Sequence, residues 1–259
     1  MRIFISSTFC FLLAGTAVHA GAWTLPKGEG QAIVTLAYSF ATDAFDENGQ
    51  SVAVEPFEKF ELRGFIEYGL TDWATIVVQP ELRFKGQGVE ESDGLGRFDF
   101  GLRTRLWSDD YAVASIEGNV SAPGQTDELV PLNGGDTDWE LELRGLYGRG
   151  FDLWERHGFL DLQLGYRHRF SDPADEVIAD LTLGLDVTER SLAVVQSFNR
   201  VSVGSAQFPF EDTREHKIAV STVYRINDRW SAQAGSAVTA FGKNVLREQG
   251  FFIALWSKF

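Results

Sequence analysis

The sequence predicts an all-β fold: a single-chain antiparallel transmembrane β-barrel of 12 strands, with short periplasmic turns and long acidic extracellular loops. Three observations carry this reading. Long segments alternate apolar and polar residues with period two, their connections alternate short and long, and aromatic residues gather where segments meet connections. Composition narrows the classes. The 259 residues are 44% hydrophobic and 13% aromatic with a formal charge of −14, which excludes a disordered chain and disfavours any nucleic-acid partner, since that needs a basic face.

Residues 1–20 read as a cleaved signal peptide. Met1-Arg2 is a basic start, Ile3 to Val18 is largely apolar, and Val18-His19-Ala20 puts small residues at the positions a signal peptidase reads, so cleavage is expected after Ala20. The stretch is short for a spanning helix. It also holds the only cysteine, Cys10, so residues 21–259, the expected barrel domain, contain no disulfide or cysteine metal site. No later apolar run approaches the length of a membrane helix. An exported barrel implies the outer membrane of a Gram-negative bacterium.

The alternating segments lie at 30–41, 57–70, 73–84, 97–107, 111–122, 137–149, 158–170, 176–187, 191–200, 214–226, 230–241 and 248–259. In the second, Phe60, Leu62, Ile66 and Tyr68 share one face; in the eighth, Val177, Ala179, Leu181, Leu183 and Leu185 do. The ninth and eleventh choose no face clearly. Short connections include Leu70-Thr71-Asp72-Trp73, Val187-Thr188-Glu189-Arg190 and Ile226-Asn227-Asp228-Arg229, and the long ones are 42–56, 85–96, 123–136 and 201–213. A soluble sandwich has no reason to alternate its loops so regularly.

The polar faces define candidate lumen-lining residues. The second and third segments point Lys59, Glu61, Arg63, Glu67, Glu81 and Arg83 inward, and the fourth and fifth add Asp99, Arg103, Arg105 and Glu117. Glu140, Glu142, Arg144, Asp161, Arg167 and Arg169 follow on the sixth and seventh, then Asp180, Asp186, Lys217 and Arg225. Acids and bases are equal in number, and Arg63 with Glu81, or Arg167 or Arg169 with Asp180, are expected to pair. Buried charge must be paired or hydrated. The interior is therefore either a narrow charged pore or a filling ion-pair network, because twelve strands fall between a filled barrel and an aqueous channel.

Two aromatic girdles are expected, with Trp73, Trp107, Trp154 and Trp230 beside short connections and Phe40, Phe84 and Phe170 near long ones. Phe251, Ile253, Leu255 and Phe259 resemble the C-terminal strand that a barrel-assembly machinery recognises, with Ser257 where an aromatic is usual. Net acidity concentrates in the long loops, at Asp43, Asp46, Glu47 and Glu55, then Glu90, Glu91 and Asp93, then Asp127, Glu128 and Asp136. These would face lipopolysaccharide and outer-membrane lipid, through divalent cations or as a cation-leaning pore mouth.

Glu67-Tyr68-Gly69-Leu70-Thr71-Asp72, the stretch from Gly94 to Leu106 and Leu164-Gly165-Tyr166-Arg167-His168-Arg169-Phe170 resemble the outer-membrane barrels grouped with the meta-pathway of phenol degradation. That resemblance implies uptake or efflux of small, aromatic or apolar solutes. No HExxH or GxSxG is present, and His157, His168 and His216 sit in a turn, on the lipid-side register and at a strand start. No catalytic residue, metal or cofactor is expected. A channel for small solutes leads, ahead of a non-conducting structural or adhesive barrel acting through its outer loops and, last, a barrel enzyme acting on lipid.

Overall fold

A computed structural model of the chain describes residues 21–87, 90–124, 138–208 and 210–259. The expected signal peptide with Ala20 lies outside the described residues, as do Asp127, Glu128 and Asp136 and the side chains of Glu90, Glu91 and Asp93.

Among the described residues thirteen strands form one sheet: β1 (Gly30–Phe45), β2 (Ser51–Thr71), β3 (Ala74–Gln87), β4 (Glu90–Ser108), β5 (Ala112–Ala122), β6 (Glu140–Leu153), β7 (Arg156–Arg169), β8 (Asp175–Asp186), β9 (Ser191–Val203), β10 (Arg214–Arg225), β11 (Trp230–Lys243), β12 (Val245–Leu246) and β13 (Gln249–Lys258). Each long strand pairs antiparallel with the next, and β1 pairs with both β2 and β13, so the twelve long strands close on themselves. Closure removes every edge, which is the condition for strands to cross a bilayer. The extra strand, β12, is a two-residue piece against Ala44 and Phe45 of β1.

The pleat sorts the residues. Leu164, Ile253 and Phe251 are 64%, 60% and 66% exposed on the outer wall, beside Leu141, Leu143 and Leu183. A continuous apolar band of this kind on a closed barrel faces lipid. Trp73 and Trp107 are exposed at the short-turn end and Phe84 and Phe170 at the other, while Trp154 stands at the tip of the β6–β7 turn and Trp230 under the Arg229 guanidinium, 5.6 Å from its ring centre. Pairing also settles the two ambiguous strands. Leu192, Val194 and Gln196 of β9 and Gln233 and Thr239 of β11 lie on the inward register, opposite Asp186, Gly184, Thr182, Val223 and Lys217.

The expected long connections 42–56 and 85–96 are instead mostly strand, because β1–β2 and β3–β4 continue beyond the band as hairpins. Ala41, Ala44, Phe57 and Leu246 form a buried apolar cluster that holds the first hairpin together. Its turn is local chemistry: Asp46 Oδ1 accepts from the backbone N–H of Asn48 and of Gln50, both at 2.8 Å, and Gly49 takes φ 76°. At the opposite end Asp109 Oδ1 accepts from the N–H of Tyr111 (2.8 Å) and Ala112 (2.7 Å), which holds its carboxyl below the ordinary aspartate range. The last residue is tied in as well, since Phe259 and Gly30 exchange two backbone hydrogen bonds of 2.7 and 2.9 Å.

Candidate functional site: a charged lumen with a seated N-terminal segment

Inward alternation on neighbouring strands stacks charge on charge, and the side chains resolve it into three groups. The lowest, near the short turns, is centred on Arg103. Its guanidinium donates to Glu67 Oε1 at 2.6 Å and meets Glu117 Oε2 at 2.7 Å, all three side chains being almost wholly buried. Asp161 is beside this group and accepts from Gln163 Nε2 at 2.7 Å. Buried ion pairs persist only where partners replace lost water, and here they do.

This group also grips a segment that periodicity does not reveal. Residues 21–29 precede β1, and of these 21–25 enter the barrel while 26–29 stay exposed at its rim. The N–H of Ala22 donates to Asp161 Oδ2 (2.6 Å), Ser115 Oγ donates to the carbonyl of Ala22 (2.6 Å), and Arg103 Nη1 donates to the carbonyl of Trp23 (3.0 Å). Farther along, the N–H of Leu25 donates to Thr75 Oγ1 (2.8 Å) and that of Lys27 to Asp72 Oδ1 (3.0 Å). Ala22 packs on Val113 and Leu146, and the Trp23 ring meets Phe159 edge-on at 6.2 Å. Gly148 leaves the room, since a Cβ there would lie 2.6 Å from the Trp23 ring. An extended chain otherwise carries unsatisfied polar groups into a buried space, so the bonds to Ala22, Trp23 and Leu25 are a condition of its being there.

The second group runs over β4 and β6–β8. Arg167 bridges Glu142 (2.7 Å) and Glu176 (3.0 Å) and approaches Glu140 (3.4 Å), while Arg169 meets Glu140 (3.0 Å) and Glu176 (3.1 Å). Arg97 pairs with Glu140 and Arg144 with Glu142, and Arg144 also reaches Asp180 at 3.1 Å. The third group spans β2, β3, β10 and the approach to β13. Lys59 and Lys217 both hold Glu248 at 3.3 Å, Lys59 also meets Glu61, and Arg83 meets Glu81 at 2.7 Å and Glu61 at 3.4 Å. Separately, Arg225 pairs with Asp186 at 2.6 Å near the short-turn end.

Pairing therefore differs from the sequence expectation in two places. Glu81 is held by Arg83 on its own strand, while Arg63, 53% exposed, lies 3.8 Å from Glu61. Asp180 goes to Arg144, because Glu176 on β8 lies directly opposite Arg167. Asp99 and Arg105 lie on the inward register opposite Ser121 and Ser115. Sequence reasoning passed over Arg97, Glu176, Glu215 and Glu248, all near segment ends where the alternation had too few residues to show. The three described histidines occupy separate places: His157, exposed at the start of β7, meets Asp152 at 2.5 Å, His168 meets Asp175 and His216 meets Asn199.

No family model matches the sequence, and no curated protein matches it. Solved structures do. The COG4313 outer membrane channel from Pseudomonas putida F1 superposes with a TM-score of 0.72 at 16% identity, covering 92% of this chain and 98% of that one. The NanC porin gives 0.54 at 6% identity over 86% and 98%, and the translocator domain of the autotransporter NalP from Neisseria meningitidis gives 0.51 at 8% over 91% and 90%. At such identities the likeness is one of fold, that of an outer-membrane, porin-like barrel.

Proposed function

We propose that this chain is an outer-membrane channel for small solutes, with a narrow, charge-lined interior. One observation carries the reading: paired acids and bases line opposite arcs of the interior, beside smaller apolar clusters such as Leu192, Val194 and Val223. Such a wall keeps water and gives a passing solute alternating partners. The 0.72 superposition on a channel supports it, and a resemblance to the phenol meta-pathway barrels favours aromatic or apolar solutes. Export through a signal peptide ending at Ala20 and assembly through the C-terminal strand with Phe251, Ile253, Leu255 and Phe259 belong to the same proposal.

The test is conductance of the refolded mature chain in planar bilayers, together with swelling of proteoliposomes in small aromatic solutes. Small channels and solute-dependent swelling are expected. A folded protein that passes neither ions nor such solutes would overturn the proposal in favour of a barrel that works through its outer loops.

A further inference from the structure

On the outer wall at the short-turn end, a shallow, wide-open recess of about 480 Å³ lies between the start of β7, the β8–β9 turn and the end of β10, lined by Arg156, Thr188, Glu189, Arg190 and Tyr224. Its charges are unlike those inside the barrel. Nearby Arg225 is neutralised inward by Asp186 at 2.6 Å, whereas neither Arg156 nor Arg190 has a carboxylate partner among the described residues, and neither does the Glu189 carboxylate a cationic one. Two free guanidiniums and one free carboxylate thus share a single concavity. Thr188 Oγ1 already accepts from the N–H of Arg190 (3.2 Å) and Ser191 (3.0 Å), which leaves its own proton to donate.

The setting fixes what can occupy it. Val187 and Tyr224, both about half exposed, carry the apolar wall up to the recess, and Trp230 marks the same end of the barrel, so the recess sits where acyl chains give way to headgroups. A guanidinium presents a planar fork suited to phosphate oxygens. A carboxylate beside it suits a primary ammonium.

We infer that this recess binds the headgroup of a phosphatidylethanolamine molecule from the leaflet on the short-turn side, with Arg156 and Arg190 on the phosphodiester and Glu189 on the ammonium. Thr188 completes the phosphate shell, and Tyr224 and Val187 receive the first methylenes of the acyl chains. Phosphatidylcholine offers the same phosphate without N–H donors, so it should satisfy half of the site.

Native mass spectrometry of the full mature barrel in mixed micelles tests this. The folded chain should retain phosphatidylethanolamine over phosphatidylcholine. E189Q should erase that preference while keeping phosphate-bearing lipid, and R156Q/R190Q should lower retention of both lipids roughly tenfold or more, the scale of two basic groups at a lipid surface. Heat-modifiable migration on gels reports assembly of each variant. If the double variant fails to assemble, E189Q decides alone, and an unaltered lipid preference there overturns the inference. Equal retention of the two lipids by the unaltered chain also overturns it, as does displacement by soluble phosphoethanolamine, which would mean a site for free phosphate esters.

Discussion

Leu183 and Thr182 are neighbours on β8, yet the pleat sends Leu183 outward between Leu160 and Val195 and Thr182 inward, where Gln196 Nε2 donates to its hydroxyl at 3.2 Å. Leu183→Arg should cost about 2–4 kcal/mol, the scale of an arginine on the lipid face near the bilayer midplane. Thr182→Arg should be close to neutral, because it enters a lumen that already holds Asp161 and Asp180. Urea unfolding from lipid vesicles measures both, and equal midpoints would remove the register. The faces themselves were legible in the sequence wherever Leu, Val and charged residues alternate. Partner choice was not. Arg63 stands directly opposite Glu81 in the ladder, as a sequence reader would expect, but Arg83 reaches Glu81 from two residues away on the same strand face. Alternation specifies which side a side chain takes, and long flexible side chains then select among several partners of suitable sign.

At the scale of elements, strands longer than the bilayer needs and an inserted N-terminal segment escape the periodic signal for different reasons. Residues 46–55 carry turn-formers and acids that read as loop, and only the burial of Phe57 against Ala41, Ala44 and Leu246 makes a hairpin of them. Residues 21–29 are too few to show a period. Their fit depends on Ser115, Asp161 and Thr75, which come from three distant strands. That fit puts the segment inside the proposed pathway. A mature chain lacking residues 21–27 should still fold, since the β1–β2 and β1–β13 ladders begin at Gly30 and Gln31. It should give larger single-channel conductance in planar bilayers. Unchanged conductance would mean that ions pass elsewhere than beside Ala22 and Trp23.

Closure makes one circuit of charges that no hairpin contains. Glu248, just before β13, holds Lys59 from β2 and Lys217 from β10, and Lys59 links onward through Glu61 to Arg83 and Glu81 on β3. These groups come from opposite halves of the sequence and meet only because β1 pairs with β13. In a circuit this balanced, removing one charge leaves its partner facing the lumen, and the exposed charge sets the sign of the preferred ion. Arg83→Gln should take the guanidinium from Glu81, leave Glu61 to Lys59, and shift the reversal potential in a salt gradient toward cation selectivity. Glu81→Gln should shift it toward anions, and Glu248→Gln further in that direction because it takes one carboxylate from two lysines at once, leaving Lys59 with Glu61 and Lys217 with Glu215. Arg63→Gln should move it least, since Arg63 is half exposed and 3.8 Å from Glu61. Salt should weaken all four shifts where the lumen is wet. Should the four variants share one reversal potential, current would not pass along this arc, and the ion pairs would be filling the barrel instead of lining a path through it.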